Sequence, residues 1–187
     1  MQAFKPTTLT TNRLRLRALA PGDAAAMYAV FSDPEVVRYW SSTPWTEMEK
    51  AHQFIANAEQ DWLSGAGLRF GIEVAATGQL AGQVALHHFD RENRRCEVGY
   101  ALARQHWGRG YLTEALGAVL EHGFTALELN RVEADIDPRN AASARPLERF
   151  GFRQEGLLRE RWIVGGEICD TAFYGLLRRD WMAHGSR

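Results

Sequence analysis

The strongest constraint on how this chain folds lies between residues 105 and 127. Leu112, Ala115, Leu116, Val119, Leu120, Phe124 and Leu127 recur at spacings of three and four, so a helix over residues 110–127 carries them on one apolar stripe. Directly before that stripe the chain reads QHWGRGYLTEAL from residue 105, with Arg109 held between Gly108 and Gly110. The helix therefore begins at a point of bare backbone. Residues 95–103 ahead of it and 131–137 behind it read as strands.

Leu14, Leu16 and Ala18 alternate with Arg13, Arg15 and Arg17, the period of two of a first strand. Pro21-Gly22-Asp23 opens a helix through Phe31, with Asp23 as its cap and Pro34 as its stop. A second helix is expected over residues 46–63, after the aromatic segment VVRYWSSTPW. Strands follow at 69–75 and 80–89, joined by a Thr77-Gly78 turn. Beyond the central helix come a short helix at 142–150 and closing strands at 152–159 and 169–177. No repeat, low-complexity tract or linker intervenes, so residues 1–187 read as one domain of mixed α/β (α+β) class.

With 22 basic and 23 acidic residues, the chain has no overall field to draw nucleic acid or an anionic membrane, although a local site can still hold a small anion. The opening MQAFKPTTLTTNRLRLR has no apolar signal core. No run reaches the roughly 18 apolar residues of a membrane span. Two cysteines, Cys96 and Cys169, are too few for a disulfide framework at this size. A cytoplasmic protein without nucleic-acid or membrane partners is expected.

The glycine loop has a chemical reading. The first amides of a helix lack intrahelical partners, and the helix dipole places about half a positive charge there. Gly108 and Gly110 let the backbone come close to a ligand, and Arg109, with Arg104, can add charge-assisted hydrogen bonds to a diphosphate. A plain strand-to-helix turn is the alternative. The loop lacks the third glycine of a dinucleotide fingerprint and the Gly-Lys-Ser/Thr of a P-loop, so a different phosphate carrier is indicated.

A second element, DPRNAASARPLERFGF, starts at Asp137. Asn140 reads first as a helix cap, although its amide can also pair with another amide; Ser143 likewise reads as a helix-start hydroxyl or a catalytic one. Pro146 requires a helix that starts near Ala142 or Ser143, which places it in the first turn, and Gly151 stops that helix.

Taken in order, EVGYALARQHWGRGYLTEAL, then VEADIDPRNAASARPLERFGFRQEG, then a strand ending in TAFYGLLRRDW resemble the GNAT superfamily of acetyl-CoA-dependent N-acetyltransferases. With TNRLRLRAL ahead of a helix, the likeness is greatest to the RimJ/RimL-like branch of ribosomal-protein N-terminal acetyltransferases. The resemblance implies a mixed, mostly antiparallel sheet of about six to seven strands, about four helices, and a splayed strand pair that holds acetyl-CoA. Backbone groups of Leu102 and Ala103 would hold the pantetheine arm, and the loop of Trp107, Gly108, Arg109, Gly110, Tyr111, Leu112 and Thr113 the pyrophosphate. Asn140 would touch the pantetheine and Ser143 would lie near the sulfur. The family's loop is written Gln/Arg-x-x-Gly-x-Gly/Ala. The register that suits the helix here is Trp107-x-x-Gly110-x-Leu112, without the basic first residue, while Gln105-x-x-Gly108-x-Gly110 matches only as a string. Many members carry a tyrosine general acid where this chain has Leu147, which leaves Ser143 as the substitute.

The implied reaction is direct attack of a primary amine, a protein N-terminus or a small molecule, on the acetyl thioester. Such amines titrate near about 8 to 10.4, so a base must take a proton. Glu97, on the strand approaching the cofactor, is preferred over Asp90, Glu92 and Glu160. A backbone N–H near Leu102 would stabilise the oxyanion. Trp40 and Trp45, then Trp162 and Tyr174, are candidates for the acceptor side. His87 and His88 are neighbours on a strand and so point to opposite faces, and no metal is expected. No nucleophile elbow surrounds Ser143, which argues against a serine hydrolase. A catalytically silent acyl-CoA-binding sensor of the same fold is the alternative to an enzyme, and monomer and homodimer both stay open.

Overall fold

The computed structural model describes residues 3–5 and 7–184. Among them, eight strands form one sheet: β1 (Leu9–Thr10), β2 (Leu14–Ala18), β3 (Gly67–Val74), β4 (Leu80–Asp90), β5 (Arg95–Leu102), β6 (Arg131–Ile136), β7 (Arg153–Val164) and β8 (Glu167–Leu177). Their spatial order is β1-β2-β3-β4-β5-β6-β8-β7, and every neighbouring pair is antiparallel except β5 and β6. Six α-helices among the described residues flank the sheet: α1 (Ala24–Phe31), α2 (Pro34–Val37), α3 (Glu49–Ser64), α4 (Tyr111–Thr125), α5 (Ala141–Arg149) and α6 (Arg178–His184). None is long and apolar enough to cross a membrane.

The expected six to seven strands and four helices fall short of this count. The two-residue β1 pairs with β2 through Leu9↔Leu16, and two residues are too few to show a period. The missed helices α2 and α6 have four and seven residues. Pro34 does not simply stop α1 but opens α2, where Asp33 accepts the Glu35 N–H as cap. Asp23 does not cap α1: its carboxylate takes the Ala20 N–H and two Arg17 nitrogens at 2.7–2.9 Å, because charge-assisted bonds to the half-buried Arg17 guanidinium are stronger than a bond to a neutral amide. Pro146 lies in the second turn of α5, not the first, since that helix starts at Ala141. It deprives Ala142 of its helical N–H, on an exposed residue whose carbonyl water can reach.

The two faces of the sheet differ in chemistry. On one face, β-strand pairing brings Leu14, Leu16, Phe70, Ile72, Val84 and Leu86 together, each fully buried. The stripe of α4 packs here, with Leu116, Val119, Leu120 and Phe124 all 0% exposed. Each such side chain contributes about 1.5–3 kcal/mol of burial, enough to hold an amphipathic helix to the sheet. The opposite face carries Arg15 and Arg17 paired to Glu73, then Arg69, Gln83, His87, Glu97, Glu133 and Asp135 along the sheet. Only part of it is roofed, by Met27, Val30, Phe31, Ala51 and Ile55 of α1 and α3 against Ala101 and Ala103.

Candidate active site

Strands β5 and β6 pair through Arg95↔Arg131, Cys96↔Val132 and Glu97↔Glu133 and then separate, although β5 continues to Leu102 and β6 to Ile136. Parallel strands that part within a sheet leave main-chain groups facing a gap. At its wide end, beyond Leu102, the chain makes a single 3-10 turn at Arg104–His106 and enters the glycine loop.

The loop has the conformation its composition anticipates. Gly108 and Gly110 have φ of 70° and 76°, the left-handed region that costs other residues about 1–2 kcal/mol. Gly110 is the residue on which α4 starts, and Leu112 lies in its first turn, in line with the register anchored on Gly110. Glu114 donates the first amide bonded back, to the Gly110 carbonyl at 3.1 Å. The amides of Tyr111, Leu112 and Thr113 therefore have no intrahelical acceptor. The Trp107 indole N–H binds the Leu102 carbonyl at 2.8 Å, and the Ala103 N–H binds the Ala81 carbonyl at 2.9 Å. Those two groups are thus engaged within the chain. Arg104 reaches toward Asp33 at 3.8 Å, while Arg109 is exposed.

Arg13 braces the loop, a role its place in an alternating strand pattern hid. Its guanidinium donates to the Arg109 carbonyl at 2.9 Å and to Glu114 at 2.6 Å, and stacks 5.0 Å over the Tyr111 ring. Its own amide and the Thr11 hydroxyl also donate to Glu114. Burial pulls the Glu114 pKa up, but these contacts outweigh it and hold the carboxylate below its usual range.

At the narrow end lies a cavity of about 490 Å³ on the polar face. Its walls include Trp40, His87, His88, Tyr100, Asp135 and Ser143. Asn140 is the α5 cap: its side-chain oxygen accepts the Ser143 N–H at 3.1 Å, as its local reading had it. Tyr100 donates its hydroxyl to the Ser143 carbonyl at 2.7 Å, tying α5 to the β5 arm, and burial raises the phenol's pKa so that it stays protonated. Leu147 is fully buried, so no acid stands at that position.

Glu97 sits at the last paired step of β5, 3.2 Å from Nδ1 of His88. The reasoning that His87 and His88 must diverge fails here. His88 has φ of 51°, the β4–β5 register shifts between His87 and Asp90, and the bulge brings the two rings to 4.5 Å. Burial, then the neighbouring His88, pushes the His87 pKa down to about 4, so its imidazole is neutral at pH 7. Across the gap, Asp135 is raised above the usual carboxylate range by burial first and then by the charge of Glu97. The alternation Glu133, Asp135, Asp137 in VEADID was the signal for it.

Of the aromatic candidates, Trp40 and Trp162 line the cavity. Trp45 does not: it stacks on Phe31 at 4.6 Å and meets Phe54 at 5.5 Å, because a ring at the α1–α3 junction gains more from burial. Tyr174 is 6% exposed within the main core. Among the weaker base candidates, Asp90 is held by Asn93 and Arg95, and Glu92 and Glu160 are exposed.

Known proteins resemble this chain in sequence and in fold. Residues 13–153 match the family described as the acetyltransferase (GNAT) domain. The uncharacterised N-acetyltransferase p20 of Bacillus licheniformis is 38% identical over 174 residues, covering 93% of this chain and 98% of that protein. A spermidine N(1)-acetyltransferase of Vibrio cholerae is 25% identical over 91% of this chain and 96% of its own length. The structure of Mycobacterium smegmatis RimJ in complex with CoA-disulfide superposes with a TM-score of 0.81 at 26% identity, covering 99% of this chain and 98% of that one. A parted strand pair that leads from a left-handed glycine loop to a polar cavity, together with these likenesses, identifies the chain as a member of the GNAT acetyltransferase family, an N-acetyltransferase.

Proposed function

We propose that the chain transfers the acetyl group of acetyl-CoA to the primary amine of a cationic acceptor, by direct attack on the thioester. The observation that carries this reading is the gap that opens past Glu97↔Glu133, with bare helix amides at one end and titratable side chains at the other. Tyr111, Leu112 and Thr113 offer their amides to the diphosphate, and Arg109 adds charge from solvent. Asn140 and the β5 main chain orient the pantetheine. Positioning of this kind supplies much of the rate in a reaction between two bound molecules.

Glu97 takes the proton that the ammonium must lose before its nitrogen can attack. His88, with a side chain 72% exposed, passes it to water. As the C–S bond breaks, the Ser143 hydroxyl donates to the leaving thiolate, whose ordinary pKa of about 8.5 makes modest help sufficient. Tyr100 holds the Ser143 main chain in place. Asp61, Asp135, Asp137, Glu167 and Asp170 line the cavity with Arg38 and Arg69; Arg69, Arg161 and Arg139 already pair with the first four, which leaves Asp170 to favour a cationic acceptor. The spermidine relative points to a polyamine as one such acceptor, and the likeness to the RimJ/RimL-like branch implies a protein N-terminus as another. Two free thiols suit the reducing cytoplasm.

Calorimetry with acetyl-CoA, followed by CoA release against peptides with free N-termini and against spermidine, tests the reading. Binding followed by release with one amine class supports it. Binding without release from any amine makes the chain an acyl-CoA sensor, and no binding at all removes the cofactor assignment.

A further inference from the structure

We propose that His87, His88 and Glu97 form a binding site for a divalent transition-metal ion, Zn²⁺ being the best match. Three observations carry it. The bulge at His88 turns two sequence neighbours toward one another, and one donor atom from each of the three residues lies within 4.8 Å of the others. A left-handed non-glycine residue costs about 1 kcal/mol or more, and a bulge that re-aims a side chain is how sheets place functional groups. Gly99 makes the room: a Cβ there would stand 3.2 Å from Nε2 of His87.

The donor set fits the ion. Two imidazole nitrogens and one carboxylate oxygen are the three-ligand pattern of zinc sites that keep a fourth position open. Tetrahedral ligands about 2.0–2.1 Å from zinc lie roughly 3.3 Å from one another. His88 Nδ1 and Glu97 Oε2 already stand 3.2 Å apart, so the main adjustment is a turn of the His87 ring. The exposed His88 gives the ion a way in. Occupancy engages a lone pair of the carboxylate that the proposed reaction uses as base, so the ion inhibits turnover; that consequence rests on the proposed function, whereas the site itself does not.

The test uses the full chain stripped with a chelator and titrated with Zn²⁺ by calorimetry, without acetyl-CoA or amine. About one equivalent should bind, and Co²⁺ in its place should give the visible absorption of a tetrahedral site. His87→Gln and His88→Gly should each weaken binding at least about tenfold, the size of effect usual for residues that build a metal site. His88→Gly keeps the left-handed backbone comfortable, so it separates ligand loss from misfolding. His52→Ala, at an exposed histidine on α3, should leave binding unchanged. Absence of binding, or binding that survives His88→Gly, overturns the site. Binding that leaves acetyl transfer unaffected supports the site and removes Glu97 from the proton path.

Discussion

The two ends of the cleft are built from different materials. The loop end is main chain: amides at the start of α4, two left-handed glycines, and a helix dipole, nearly all within residues 107–113. The cavity end is side chain, drawn from α3, β3, β4, β5, β6, α5, β7 and β8, segments spread over most of the sequence. A main-chain site depends on φ and ψ and hardly on side-chain identity. A side-chain site depends on register, bulges and the pKa of each group. The loop end should therefore fail through backbone strain and read out as affinity, and the cavity end through chemistry and read out as turnover.

The largest break in that contrast should come at Glu97. Replacing it with glutamine keeps size and hydrogen bonding but removes the base, and kcat should fall by about 100-fold or more. The acetyl-CoA Kd, measured by calorimetry, should not move. Ser143→Ala should act in the same sense but less, about tenfold in kcat, because the leaving thiolate needs little help. If either variant weakened acetyl-CoA instead of slowing turnover, the division between the two ends would be wrong.

Acid should unsettle the cavity end selectively. His87 is depressed to about 4 from an ordinary 6.5, so the fold favours its neutral form. That contribution to stability is whole above pH 6.5 and is lost as pH falls toward 4. Between pH 7 and 5 it amounts to about 2 kcal/mol. Thermal melts with a chelator present should show a drop in Tm over this range that His87→Gln flattens. At the loop end His106 is lowered in the same sense, by burial and then by Arg109, but it precedes the amides that open α4, so acetyl-CoA affinity should change less than stability does.

Gly110→Ala sharpens the other side. At φ of 76° the added methyl costs about 1–2 kcal/mol, and it would lie 3.4 Å from the Arg13 guanidinium. Acetyl-CoA should bind about tenfold more weakly, with kcat at saturation nearly unchanged. Gly108→Ala meets open space, so it isolates the φ cost from the contact with Arg13.

The same contrast explains what could be read before the structure. The stripe of α4 and the glycines are local signals, and the helix, its start and the Gly110 register follow from them. Asn140 is legible for the same reason, because a cap acts on the amide three residues on. The His88 bulge is not legible: period two assigns opposite faces to His87 and His88, and only pairing with β5 shows the register slip. Trp45 illustrates the converse error, since an aromatic near a cleft and an aromatic over a core look alike in one dimension. Asp135 sits in a visible alternation, but its raised pKa arises from burial and from Glu97 on another strand.

Arg13 is where the contrast is least clean, and so where the smallest prediction tests it best. The loop end is main chain, yet a side chain 96 residues away in sequence holds the Arg109 carbonyl. Its ion pair with Glu114 is half exposed on the arginine side, and exposed pairs contribute up to about 1 kcal/mol. Arg13→Met keeps the aliphatic stem over the Tyr111 ring and removes the donors. Acetyl-CoA should then bind up to about fivefold more weakly, and kcat should hold. Glu114→Gln should mimic the loss only in part, since it leaves Arg13 free to hold the Arg109 carbonyl. Equal losses from both variants would mean that the salt bridge, not the carbonyl contact, sets the loop; no loss from either would mean that the two glycines set its shape unaided.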